Sequence, residues 1–198
     1  MKKIGITLSI AATCLLIAAG IHIRAQENSD NPVVIEIEKE KNTAAMAKDA
    51  IAVDMFEQAV AIIKKYEGMH HAKNWPLVGY GHKVLPGEKF SRTTLSESKA
   101  DELLRKDLLK NCAVFREFGA DSLLLGTLAY NIGSGNVKRS SVTRELRNGN
   151  RDIRELYLKH CRYRGKTLSQ LQRRRIEEFD ILFIKNPEDS VNNFPAAS

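Results

Sequence analysis

The sequence predicts a mainly α-helical domain with one short β element. Three observations carry this. Apolar residues recur at helical spacing over most of residues 51–185, Ser122 to Tyr130 is apolar nearly all round, and convincing period-two alternation is confined to Val78–His82. With 198 residues and 43% apolar composition, the chain is long enough for one domain with a real core and short for two.

Residues 1–25 stand apart. Lys2 and Lys3 precede an apolar run from Ile4 to Ile23, and Arg24 and Ala25 follow. This is the pattern of a secretory signal cut after Ala25. A run of about 20 such residues also suits a retained membrane anchor, and Cys14 offers a lipoprotein reading, so the three alternatives stay open. Residues 26–50 are polar and read as a linker, with a short strand suggested by the alternating run Val34 to Glu38.

The first helix is expected from about Asp54 to Glu67, where Met55, Phe56, Ala59, Val60, Ile62, Ile63 and Tyr66 mark one apolar stripe. Gly68 stands where a left-handed C-cap belongs. Val78, Tyr80 and His82, alternating with Gly79 and Gly81, read as a strand, and Pro86-Gly87 as a turn. Thr94 and Glu97 form a capping box for a helix whose buried face is Leu104, Leu108, Cys112 and Phe115. Ser122 to Tyr130 suits a central buried helix, broken at Gly133. Ser140 or Ser141 opens a short helix ending at Asn148-Gly149, and Asp152 to Leu158 forms another. Thr167 and Gln170 read as a second capping box, opening a helix to about Lys185. Residues 186–198, containing Pro187, read as a flexible tail.

Without the leader, 28 basic residues face 24 acidic ones, a net charge of +4. A mildly basic surface suits polyanions, and an exported protein meets cell-wall polymers before nucleic acid. No dense basic helix face supports nucleic-acid binding. Cys112 and Cys161 fit either a disulfide, which export permits, or two small buried apolar residues. His70-His71 lacks a neighbouring cluster of ligands, so no metal and no cofactor is expected.

Glu67 is the prime catalytic candidate. At a helix C-terminus the macrodipole opposes its ionisation, and burial beside Tyr66 adds to that. A glycosidase acid must keep its proton near neutral pH. An ordinary surface glutamate fits the same position on physics alone.

The segment Ile63–Gly68, followed by Val78-Gly79-Tyr80-Gly81-His82, resembles the signature of the phage-type lysozymes, the endolysin glycoside hydrolase family 24. Leu128–Gly133 resembles the family's central-helix segment, and Leu171–Glu178 its late Leu-x-x-Arg-Arg-x-x-Glu. With the helix opened at Thr94, the likeness spans about Asp54 to Phe183. It is closest to lysozyme-related proteins of conjugative transfer systems. The resemblance implies a lysozyme-like α+β fold, with a small β-hairpin lobe and a larger helical lobe around the central helix. It implies a monomeric, exported muramidase acting on peptidoglycan between N-acetylmuramic acid and N-acetylglucosamine, with partners in a conjugation machinery. Glu67 would be the general acid. His82 would order the hairpin and line the cleft, Tyr80 and Asn131 would lie near the sugar, and Arg174, Arg175 and Glu178 would support the site. Trp75 offers a flat surface for sugar stacking or a hairpin anchor.

The chain departs from the family between Glu67 and His82. The stretch is several residues shorter, contains no acid, and carries Leu77 where the family has Thr. The second catalytic group is therefore open. Glu88 folding into reach is one reading, and His71 or His70 as base is another. A third has Glu67 working alone, as in lytic transglycosylases. A non-catalytic peptidoglycan-binding scaffold is the rival from another class.

Overall fold

The computed structural model describes residues 32–163 and 165–185; the leader with Cys14, and the tail with Pro187, lie outside them. The chain divides into two compact units, Met1–Lys41 and Asn42–Ser198. Among the described residues, no helix is long and apolar enough to cross a membrane.

Helix α1 runs Pro32–Glu67, so the expected strand at Val34–Glu38 is helical instead. The alanine- and lysine-rich sequence from Lys39 to Ala52 has strong helix propensity and continues directly into the apolar stripe. The helix stops where predicted. Gly68 adopts φ 66° and its N–H donates to the Lys64 carbonyl (3.0 Å), which closes the last turn at a conformation that Cβ-bearing residues resist.

The Gly-x-Gly segment is the tip of a hairpin rather than one strand. Strands β1 (Leu77–Val78) and β2 (His82–Lys83) pair antiparallel, Leu77 with Lys83 and Val78 with His82. Gly79 and Gly81 take φ 58° and 100° and turn the chain between them. Gly79 is needed for space too: a Cβ there would lie 3.1 Å from the Ala100 Cβ and 3.2 Å from its Cα. A short 3-10 turn, Ala72–Asn74, precedes the hairpin.

Helix α2 (Glu97–Val114) begins two residues later than the Thr94 box implies. Ser96 is the cap, its hydroxyl accepting from the Lys99 N–H at 3.3 Å. Leu104, Leu108, Cys112 and Phe115 are buried as expected. After a 3-10 segment, Arg116–Asp121, helix α3 (Ser122–Ile132) is buried on every side from Ser122 to Ala129. Leu124, Leu125 and Leu128 are fully enclosed, each contributing about 2 kcal/mol of apolar burial. Gly126 permits the α2–α3 crossing, because a Cβ there would meet the Cys112 Sγ at 2.6 Å and its backbone N at 2.9 Å.

Short helices α4 (Ser134–Lys138), α5 (Ser141–Arg147) and α6 (Arg154–Leu158) wrap this core. Ser140 caps α5, accepting from the Thr143 N–H at 3.3 Å. A second hairpin, β3 (Arg162–Tyr163) with β4 (Lys166–Thr167), adds a β element not anticipated from the sequence. It occupies Thr167, so the expected capping box is absent and α7 (Ser169–Leu182) starts from Leu168 without a side-chain cap. Cys112 and Cys161 are buried free thiols, not a disulfide. Burial pushes the Cys112 thiol up to about 12, so it behaves as a small apolar residue.

Candidate active site

Glu67 ends α1 and is held there by α7. Its Oε1 accepts from Arg174 Nη1 at 2.7 Å, and the side chain stays about one-fifth exposed. Two further contacts clamp the same helix end: the Tyr66 hydroxyl and the Lys65 ammonium both donate to Glu177, at 2.8 and 2.7 Å.

Behind Glu67 lies a buried charged network. Arg174 Nε donates to Glu178 Oε1 (2.8 Å), while Arg175 Nη1 and the Tyr157 hydroxyl donate to Oε2 (2.5 and 2.8 Å). Arg175 Nη2 donates to Asn131 Oδ1 at 2.6 Å. Arg174, Arg175, Glu178 and Tyr157 are all at most 2% exposed. Two guanidiniums thus balance Glu67 and Glu178. Burial opposes the Arg174 charge, but Glu178 and Glu67 hold its pKa above the ordinary value. Burial pushes the Tyr157 hydroxyl well up, which keeps it a donor.

A cleft of about 430 Å³ opens beside Glu67. Tyr66, Asn131, Tyr163, Leu168 and α7 residues from Ser169 to Arg174 line it. The first hairpin also comes close to the carboxylate. A Cβ built on Gly81 would be 3.7 Å from Glu67 Oε2 and 3.7 Å from His70 Cε1. The hairpin tip therefore reaches the carboxylate, and only glycine leaves that space open.

The other predicted residues fall into two groups. Asn131 lines the cleft. Trp75, 39% exposed, is available on the hairpin surface. Tyr80 is buried in the core, with its carbonyl accepting from the Tyr130 hydroxyl at 3.0 Å, so it anchors the hairpin. His82 is buried with both ring nitrogens engaged, Nδ1 to Asp107 (2.5 Å) and Nε2 to Glu88 (2.9 Å). Burial opposes its charge, yet Asp107 and Glu88 outweigh that and hold its pKa above the ordinary value. His82 thus orders the hairpin and has no nitrogen left for a sugar. Glu88 Oε2 is held by His82 and by the Leu85 N–H (2.8 Å), which ties that side chain to the hairpin. His71 is exposed, with Nδ1 3.1 Å from the Thr94 hydroxyl. His70, not His71, shares the Gly81 contact with Glu67. The second hairpin's contribution to the cleft carried no motif in the sequence.

The chain resembles known proteins in sequence and in fold. It is 28% identical over 147 residues to an endolysin of Bacillus phage B103, covering 64% of this chain and 52% of that protein. The chain thus spans about half the length of that relative. The muramidase domain of SpmX from Asticaccaulis excentricus superposes with a TM-score of 0.54 at 24% identity, over 64% of this chain and 95% of that one. An endolysin from Escherichia coli O157:H7 phage FAHEc1 superposes at 0.53 and 23%, over 69% and 94%. Both share the mainly helical fold with small hairpins. The phage lysozyme family model matches residues 63–178, from the end of α1 through Glu178 and more than half of the chain, and the chain belongs to the phage lysozyme family.

Proposed function

We propose that the protein cleaves the glycan strand of peptidoglycan between N-acetylmuramic acid and N-acetylglucosamine, with Glu67 as the general acid. The observation that carries this is the setting of Glu67: a partly exposed carboxylate on a cleft, with Oε1 fixed by Arg174. Oε2 is the oxygen that carries the proton to the glycosidic oxygen. As that bond breaks, positive charge develops at C1, and the regenerated carboxylate stabilises it. Asn131 contacts the bound sugar, and Trp75 offers a face for stacking. The substrate lies in the cell envelope, and the export pattern of residues 1–25 fits delivery there.

Mass spectrometry of fragments released from purified peptidoglycan tests this reading. The protein releases muropeptides, and Glu67→Gln lowers the rate at least about 100-fold while binding to the wall is retained. Equal release by both proteins would remove Glu67 from the chemistry. Binding without release by either would leave a wall-binding scaffold. Reducing ends mark hydrolysis, whereas anhydro ends mark transglycosylation by Glu67 alone. Work within a conjugative transfer system rests on the resemblance, and unchanged transfer frequency after gene deletion would count against it.

A further inference from the structure

We propose that His70 is the second catalytic group, the base that takes a proton from the attacking water. This rests on the glycosidase reading of Glu67.

The stretch between Glu67 and His82 has no carboxylate to fill that role. Each of the two other titratable candidates is tethered elsewhere through one atom: His71 Nδ1 to the Thr94 hydroxyl, and Glu88 Oε2 to His82 and the Leu85 N–H. His70 is different. Its backbone N–H donates to the Gly79 carbonyl at 2.7 Å, an isolated antiparallel bridge that fixes the residue against the hairpin tip. Its ring is partly buried, and Nδ1 is enclosed without a hydrogen-bond partner among the described residues. Buried polar atoms of this kind are uncommon in folded proteins and point to a function when they lie beside a reactive group. Here the reactive group is Glu67. The empty Cβ position of Gly81 is 3.7 Å from both Glu67 Oε2 and His70 Cε1, so the two side-chain atoms lie no farther than about 7.4 Å apart, twice that distance. That bound brings both side chains to one shared space at the hairpin tip, within the reach an acid and a base with a water between them require. Glu67 is the charged group that shares this space from α1; His82 is neutralised by Asp107 and Glu88 on the hairpin's other side.

The step balances. Glu67 gives its proton to the leaving glycosidic oxygen as the C1–O bond breaks. The water oxygen bonds to C1, and His70 Nδ1, unpartnered among the described residues, takes the water proton. The imidazolium then returns that proton to solvent, Glu67 is reprotonated, and one water is consumed per bond cut.

Steady-state kinetics of the full-length protein on purified peptidoglycan tests it, with wild type, Glu67→Gln, His70→Ala, His70→Gln and His71→Ala compared. Both His70 variants are expected to lose about 100-fold in kcat with KM within about threefold. Millimolar imidazole restores part of the His70→Ala rate. The conservative glutamine separates lost base from lost packing. Glu67→Gln inactivity together with near-normal His70→Ala turnover would overturn the assignment alone. So would a larger loss in His71→Ala, or anhydro products from wild type, which need no water. Absence of any wild-type cleavage would overturn the glycosidase reading and His70 with it.

Discussion

Glu178 is the counter-charge of the buried network, and its removal has a calculable cost. The side chain is fully buried and accepts from Arg174 Nε, Arg175 Nη1 and the Tyr157 hydroxyl. Glu178→Gln keeps the shape but removes the negative charge and turns one acceptor into a donor facing donors. Arg174 Nη2 and Arg175 Nε are already buried without partners, so little slack exists to re-pair the guanidiniums. Leaving a buried charge uncompensated costs about 3–5 kcal/mol. For a domain of this size each kcal/mol shifts the thermal midpoint by about 2–4 °C, so a fall of about 8–16 °C is expected at 4 kcal/mol. Urea unfolding followed by circular dichroism reads the difference directly. Adding Arg175→Met to Glu178→Gln should recover part of the loss, because it removes the cation left unpaired. A single Glu178→Gln variant within about 1 kcal/mol of wild type, or a double variant less stable than the single, would refute the argument that charge compensation holds this region together.

Gly126→Ala should destabilise the protein by about 2 kcal/mol. Alanine gains about 1 kcal/mol in helix propensity, but its Cβ meets Cys112 at 2.6 Å, and backbone atoms at 2.9 and 3.0 Å, so α2 and α3 must separate; thermal unfolding checks it, and a stabilised variant would mean the crossing yields easily. His82 gives a pH signature. Its folded pKa is raised, so its contribution is full below the unfolded value near 6.5 and is lost as pH rises through the folded value. The stability difference between wild type and His82→Asn should therefore shrink as pH rises above about 6.5, and a difference that grows would contradict the ion pairing.

What was legible in the sequence was local. The Gly68 cap, the all-apolar α3 and the break at Gly133 each announce themselves within a few residues. The Gly79–Gly81 alternation was misread because period two looks alike in a strand and in a hairpin tip; backbone φ distinguishes them. Both capping boxes were placed by pattern alone. At Thr94 a serine two residues on competes, and at Thr167 a strand pairing wins. The β3–β4 hairpin is polar, and both strands are exposed on both faces, so it has no hydrophobic period to detect. At the site, helix position and resemblance both point to Glu67, which the structure places on the cleft. Arg174 and Arg175 were read either as site support or as pairs with acids on adjacent turns; Arg174 does both. The difference between His70 and His71 needs the third dimension: His71 Nδ1 lies beside the Thr94 hydroxyl, whereas His70 Cε1 and Glu67 Oε2 both lie 3.7 Å from the Cβ position of Gly81.

The pairing of Glu67 with Arg174 also bears on when the cleft is complete. The two residues are 107 positions apart. A chain made from its N-terminus presents the acid early, yet α7 is the last described helix to appear, and long-range pairs of this kind close late. A nascent or truncated chain carries Glu67 without the guanidinium that fixes it and without the α7 residues that line the cleft. Assembly of the site is thereby deferred until nearly the whole domain has been synthesised.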